Sequence, residues 1–180
     1  MFTFKQLESA VDIVQDELIQ HYFWDEKLST IDVIWVPYGS SYGWQHYLGS
    51  GDIKIPAFSR SKLVEMLFGG GYFSLKDILR HEYAHAFAHT HRGLIRSSLF
   101  KSVYGSHHDD EKITWEYNSL YFVSEYAATN TSEDFAETFR YYLNYSGVLP
   151  LKFKTPIIKA KWNFIKELSK ANKQGKTRFY

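Results

Sequence analysis

Apolar positions at helical spacing dominate both ends of the chain, and one region between them reads as sheet. Leu7, Val11, Val14 and Leu18 fall every three or four residues, which predicts an amphipathic helix over residues 3–22. Thr3, with Gln6 three positions on, fits a capping box at its start. Short runs rich in β-branched and aromatic residues follow at Ile31–Pro37, Trp44–Leu48 and Ile53–Ile55. With GSGD between the last two, they predict a small sheet containing one tight hairpin. The stretch Asp52–Pro56 is expected to form an open sheet edge that could pair with an extended peptide. Ser59–Phe68 is predicted as a short helix, and the glycines at 69–71 as a connector.

Helical spacing returns with Leu75, Ile78, Leu79, Ala86 and Phe87. Ser74 and Asp77 form a second candidate capping box, and Gly93 is the expected stop, so a half-buried helix is predicted over Leu75–His91. LIRSSLFKSVYG reads as one helix ending at Gly105, and SHHDDE as a polar loop. The adjacent His107 and His108 point in divergent directions and suit a solvated loop better than a metal. Aromatic residues crowd from Trp115 to Phe122, as in a core or cleft wall. Asn130 or Thr131 can cap a helix over Ser132–Leu143, with Phe135, Phe139 and Leu143 packing on one side and Gly147 beyond its end. Thr155 and Pro156 open a last helix whose Ile157, Ile158, Trp162, Ile165 and Leu168 form an apolar face to pack on the domain, ahead of a basic tail.

Composition narrows the classes. With 180 residues, 44% hydrophobic and 18% aromatic, the chain can bury one good core, and a single domain over residues 1–180 is expected. A net charge of +1 argues against a nucleic-acid partner. The cysteine count of 0 excludes disulfides, thiolate metal sites and a cysteine nucleophile, and with them peptide deformylase. Acids and glutamines interrupt the N-terminal stretch, and no apolar run is long enough to span a bilayer. The expectation is a cytoplasmic monomer without a membrane span, although export by a leaderless machine would leave no trace.

The chemistry centres on HEYAH, residues 81–85, which has the form H-E-x-x-H. On a helix, His81 and His85 lie one turn apart on one face, so both imidazoles can bind one Zn2+ while Glu82 stands ready to accept a proton from water. A catalytic zinc takes a third protein ligand. His91 stands where a metzincin places its third histidine, but Ala88 replaces the glycine of that motif, and the only methionines, Met1 and Met66, lie upstream of any Met-turn. The thermolysin spacing falls near Tyr104 and Gly105, where no glutamate stands. Glu133 and Glu137, one helical turn apart, are the other candidates, and spacing does not choose between them.

The segment SEYAATNTSEDFAETFR resembles the third-ligand segment of the lethal-factor and Pro-Pro endopeptidase zinc proteases. Their pattern is Tyr, six residues, Glu, three residues, Glu, in a setting like E-x-F-A-E-x-F-R. The resemblance implies Glu133 as metal ligand, Tyr126 as an aid to the transition state and Glu137 behind the ligands. RHEYAH, FKSVYG and FVSEYAATNTSEDFAETFRYYL together are similar to a group of bacterial zinc-binding metallopeptidases, many of which carry a Gly where this chain has Ala84 and an N-terminal zinc ribbon that it cannot form. The matches span residues 51–143, roughly.

The expectation is therefore an α+β, zincin-like metallopeptidase domain of the gluzincin kind: a small twisted sheet, the H-E-x-x-H helix and a helical C-terminal half. The expected ligands are His81, His85 and Glu133 on Zn2+, with Glu82 and Tyr126 catalytic and Glu137 orienting a ligand histidine or Tyr126. The substrate is a peptide or protein. The same residues could serve a zinc-binding protein without catalysis, or a toxin-like effector of the same fold.

Overall fold

The computed structural model describes residues 2–36, 42–47, 50–59, 62, 65, 74–105 and 116–175. The described elements run α1 (Phe4–Gln20), β1 (Asp32–Val36), β2 (Gly43–Tyr47), β3 (Ser50–Pro56), α2 (Leu75–Thr90), α3 (Arg92–Arg96), α4 (Ser98–Tyr104), α5 (Thr131–Asn144) and α6 (Pro156–Lys173). Single 3-10 turns stand at Leu28–Thr30, Tyr126–Ala128 and Leu151–Phe153. This is an α+β architecture with a three-stranded mixed sheet and mostly helical content. Among the described residues, no helix is long and apolar enough to cross a membrane. The helix expected over Ser59–Phe68, the glycines at 69–71, and His107 and His108 lie largely or wholly outside the described residues.

The predicted caps form. Thr3 and Gln6 close a capping box on α1, and Ser74 and Asp77 do the same for α2. Asn130 caps α5 by accepting from the Glu133 N–H, and Thr155 caps α6 ahead of Pro156. On α1 the buried stripe is Leu7, Ala10, Val14 and Leu18, with Val11 at its margin.

The helix expected over Leu75–His91 forms as Leu75–Thr90 capped by His91, but its stop signal and one later segment differ from expectation. Gly93 does not end the metal-motif helix; His91 does, because its backbone leaves helical geometry at φ −111° and ψ 52° while its ring stacks on Phe87. The segment 94–105 is not one helix but two. Ser97 turns extended between α3 and α4, donating its hydroxyl to the Leu94 carbonyl and accepting from the Phe100 N–H.

The sheet order is β1-β3-β2, with β1 parallel and β2 antiparallel to β3. The residues expected to form an open edge, Asp52–Pro56, therefore occupy the central strand. The reason is burial: Ile53 and Ile55 are fully excluded from solvent and need neighbours on both sides. The hairpin is as tight as predicted but sits earlier, since Tyr47 pairs with Ser50 and the GSGD residues Ser50–Asp52 belong to β3. The edge beside α2 is β2.

α2 packs between α5, α1 and the sheet, over a core that includes Phe23, Phe87, Phe135 and Phe139. One buried cation stitches these helices. Arg80 of α2 donates to Glu17 of α1 at 2.7 Å through both Nε and Nη2, and to Asp77 at 2.9 Å and Asn144 of α5 at 3.0 Å. Glu17→Ala removes the strongest partner of a charge that stays buried. Asp77 and Asn144 remain, so the expected loss of stability in urea denaturation is about 2 kcal/mol, less than the 3–5 of a charge left alone.

Candidate metal centre

Helix geometry supplies the first half of the site. His81 and His85 project from the same face of α2, and their Nε2 atoms stand 3.0 Å apart. Glu133, in the first turn of α5, brings Oε2 to 3.1 Å from His81 Nε2 and 3.2 Å from His85 Nε2. Among the described residues these three form the one group of His, Asp or Glu side chains able to hold a metal ion. Ligand atoms set about 2.0–2.2 Å from a small divalent ion such as zinc in a tetrahedron lie about 3.3–3.6 Å from one another. The observed triangle is slightly tighter, and two imidazole nitrogens with one carboxylate oxygen are donors that such an ion takes. The donor set therefore fits a metal ion.

The other nitrogens of the two rings are also engaged. His81 Nδ1–H donates to Glu137 Oε1 at 3.0 Å, which turns Nε2 toward His85 and Glu133. Ser132 Oγ stands 3.2 Å from His85 Nδ1. Glu137 is wholly buried and also accepts from Arg140 Nε and Nη2, both at 2.8 Å, and from the Ser124 hydroxyl at 2.6 Å.

Electrostatics follow from this crowding. Burial disfavours charge on His81, but the hydrogen bonds and charges of Glu133 and Glu137 outweigh it and lift the imidazole to about 10. Burial pushes the Glu133 carboxyl up, and the two histidines more than reverse this, holding it far below the usual carboxylate range. Glu137 is lowered in the same way, against its burial, by His81 and Arg140. The Tyr126 ring lies 5.6 Å from that of His81. Burial first, then the charges of Glu133, Glu82 and Glu137, raise its phenol well above normal, so it stays a neutral donor.

Glu82 is nearly buried and accepts a 2.7 Å hydrogen bond from the Trp44 backbone N–H. Two alternative ligands stand elsewhere. His91 pairs with Asp25 through Nε2 at 2.8 Å and stacks on Phe87, serving the end of α2. Glu137 faces the far side of His81. Asp134 turns away from the centre to pair with Lys161 of α6 at 2.6 Å.

Several participants were not anticipated from the sequence. Arg140 had a local signal, three residues after Glu137 on one helix face. Ser132 had a weaker one, as a small hydroxyl beside a candidate ligand. Ser124 and the Gly43–Trp44 backbone had none, since only tertiary packing brings them here. No protein-family model, curated protein or solved structure matches this chain.

Because metal and proton compete for His81, affinity depends on pH with a definite sign. Below about 10 the imidazole holds a proton that an incoming ion must displace. Chelator competition with Zn2+ or Co2+ is expected to show affinity rising by about tenfold per pH unit between pH 6 and 9, with protons released on binding.

Proposed function

We propose that this chain is a zinc-dependent peptidase of the gluzincin kind, built on a zincin-like α+β fold, with His81, His85 and Glu133 as the zinc ligands. The observation that carries this reading is the convergence of His81 Nε2, His85 Nε2 and Glu133 Oε2 within 3.2 Å of one another, with Glu82 and Tyr126 alongside. The likeness of the third-ligand segment to lethal-factor and Pro-Pro endopeptidase proteases, and of both motifs to bacterial zinc-binding metallopeptidases, supports it.

Zinc, when bound, lowers the pKa of water toward 7 and polarises a carbonyl. The protein's own groups supply the rest. Glu82 takes a proton as water oxygen bonds to the scissile carbonyl carbon, then delivers it to the amide nitrogen as the C–N bond breaks, leaving a carboxylic acid and an amine. Tyr126 donates its hydroxyl hydrogen to the oxyanion, a role suited to a phenol that burial and three carboxylates keep protonated. Glu137, braced by Arg140 and Ser124, fixes the tautomer and orientation of His81. Beyond Trp44, the outer edge of β2 is unpaired among the described strands, runs beside α2 and is suited to pair with an extended peptide by strand addition.

Metal content and turnover separate the roles. Glu82→Gln is expected to keep one zinc per chain while losing nearly all hydrolysis of a peptide library; loss of zinc here, with His85→Ala retaining it, would reverse the assignment. Glu133→Ala is expected to release zinc to a chelator that wild type resists, whereas Glu137→Ala weakens binding by only about 10 to 100-fold. Tyr126→Phe leaves zinc affinity unchanged and lowers kcat on the order of a hundredfold.

A further inference from the structure

The carboxylate of Glu82 rests on backbone. Its Oε2 accepts from the Trp44 N–H at 2.7 Å, and its Oε1 makes no hydrogen bond among the described residues. Directly beneath lies Gly43, buried, with φ at +79°. A Cβ added there would stand 3.0 Å from Oε2 and 3.2 Å from both Cδ and Oε1. The carboxylate thus lies flat on the one residue type that leaves room for it, in a conformation that residue type favours.

The strand bearing this cradle is fixed relative to α2. The Trp44 indole covers Gly51 of β3 so closely that a Cβ at Gly51 would run into the ring and into the Gln45 carbonyl. The same indole approaches His89 in the last turn of α2 at 5.8 Å, and His46 stacks on His89 at 4.2 Å. The hairpin and the helix are therefore locked by ring contacts two turns from Glu82, and the start of β2 follows that lock. Glu82 has no other hydrogen-bond partner among the described residues, so its rotamer depends on β2.

We propose that the Gly43–Trp44 peptide is a positioning element for Glu82: the amide holds one carboxylate oxygen, the glycine admits the carboxylate, and the second oxygen is left to exchange a proton. It acts through Glu82 and touches no substrate itself. The kinetic part of this inference rests on the peptidase reading; the packing part does not.

The test is a stability cycle on metal-free protein, with Gly105 as a control. Gly105 also has positive φ, at +93°, but among the described residues a Cβ there meets nothing closer than 3.6 Å. Gly105→Ala therefore reports backbone strain alone. Gly43→Ala is expected to lower Tm at least about 4 °C more with Glu82 present than in the Glu82→Ala background, whereas Gly105→Ala lowers it equally in both. Failure of Gly43→Ala to fold with Glu82 present, and folding in the Glu82→Ala background, is the same result in stronger form. In turnover, Gly43→Ala is expected to lose at least about tenfold in kcat with KM and zinc content within about twofold of wild type. An equal cost of Gly43→Ala in both backgrounds, or failure to fold in both, overturns the proposal, even if kcat falls. Coupling in the cycle from a protein that hydrolyses no peptide leaves the cradle standing and removes the peptidase reading instead.

Discussion

Glu137 has no contact with solvent, and its charge has to be answered entirely by protein. Arg140 answers it from the same helix, Ser124 from the preceding segment, and His81 from the helix opposite. Removing any one would leave an ion buried with fewer partners, which is why these groups stand or fall together. The arrangement sets how close α2 and α5 lie and how the His81 ring is turned. Glu133, one turn earlier on α5, is thereby delivered to the same ring from its other side.

The local half of this was legible in the sequence. The pairing of Ser74 with Asp77 announced where the metal-motif helix begins, and the spacing of His81 and His85 fixed that they share a face. Helical spacing put Glu133 and Glu137 together but could not tell which one meets the histidine Nε2 atoms, because that depends on how α5 rolls against α2. The end of α2 falls where it was expected, but the contacts of His91 with Phe87 and Asp25 set it rather than the stop signal of Gly93.

The sheet illustrates a different limit. Three short runs predicted three strands, but strand order is a property of pairing between distant residues. The alternation of Ile53 and Ile55 is equally compatible with an edge or a centre until β1 is seen to lie parallel on the far side. The consequence is functional as well as architectural. It is β2, the strand with the more polar and exposed end at His46 and Tyr47, that lies alongside the helix and contributes an amide to Glu82.

His85 and Glu133 stand 48 positions apart in the chain yet touch. With a cysteine count of 0, this protein has no covalent link to shorten its unfolded chain. An ion shared by the two residues would close that span as a loop, and for one of 48 residues the chain-entropy account assigns about 4 kcal/mol. The span includes α3, α4 and the whole approach to α5. A metal at this centre would thus act on the conformational entropy of more than a quarter of the chain, and its removal would be felt in the order of unfolding, with Glu137 and the aromatic core left to hold α5 on α2.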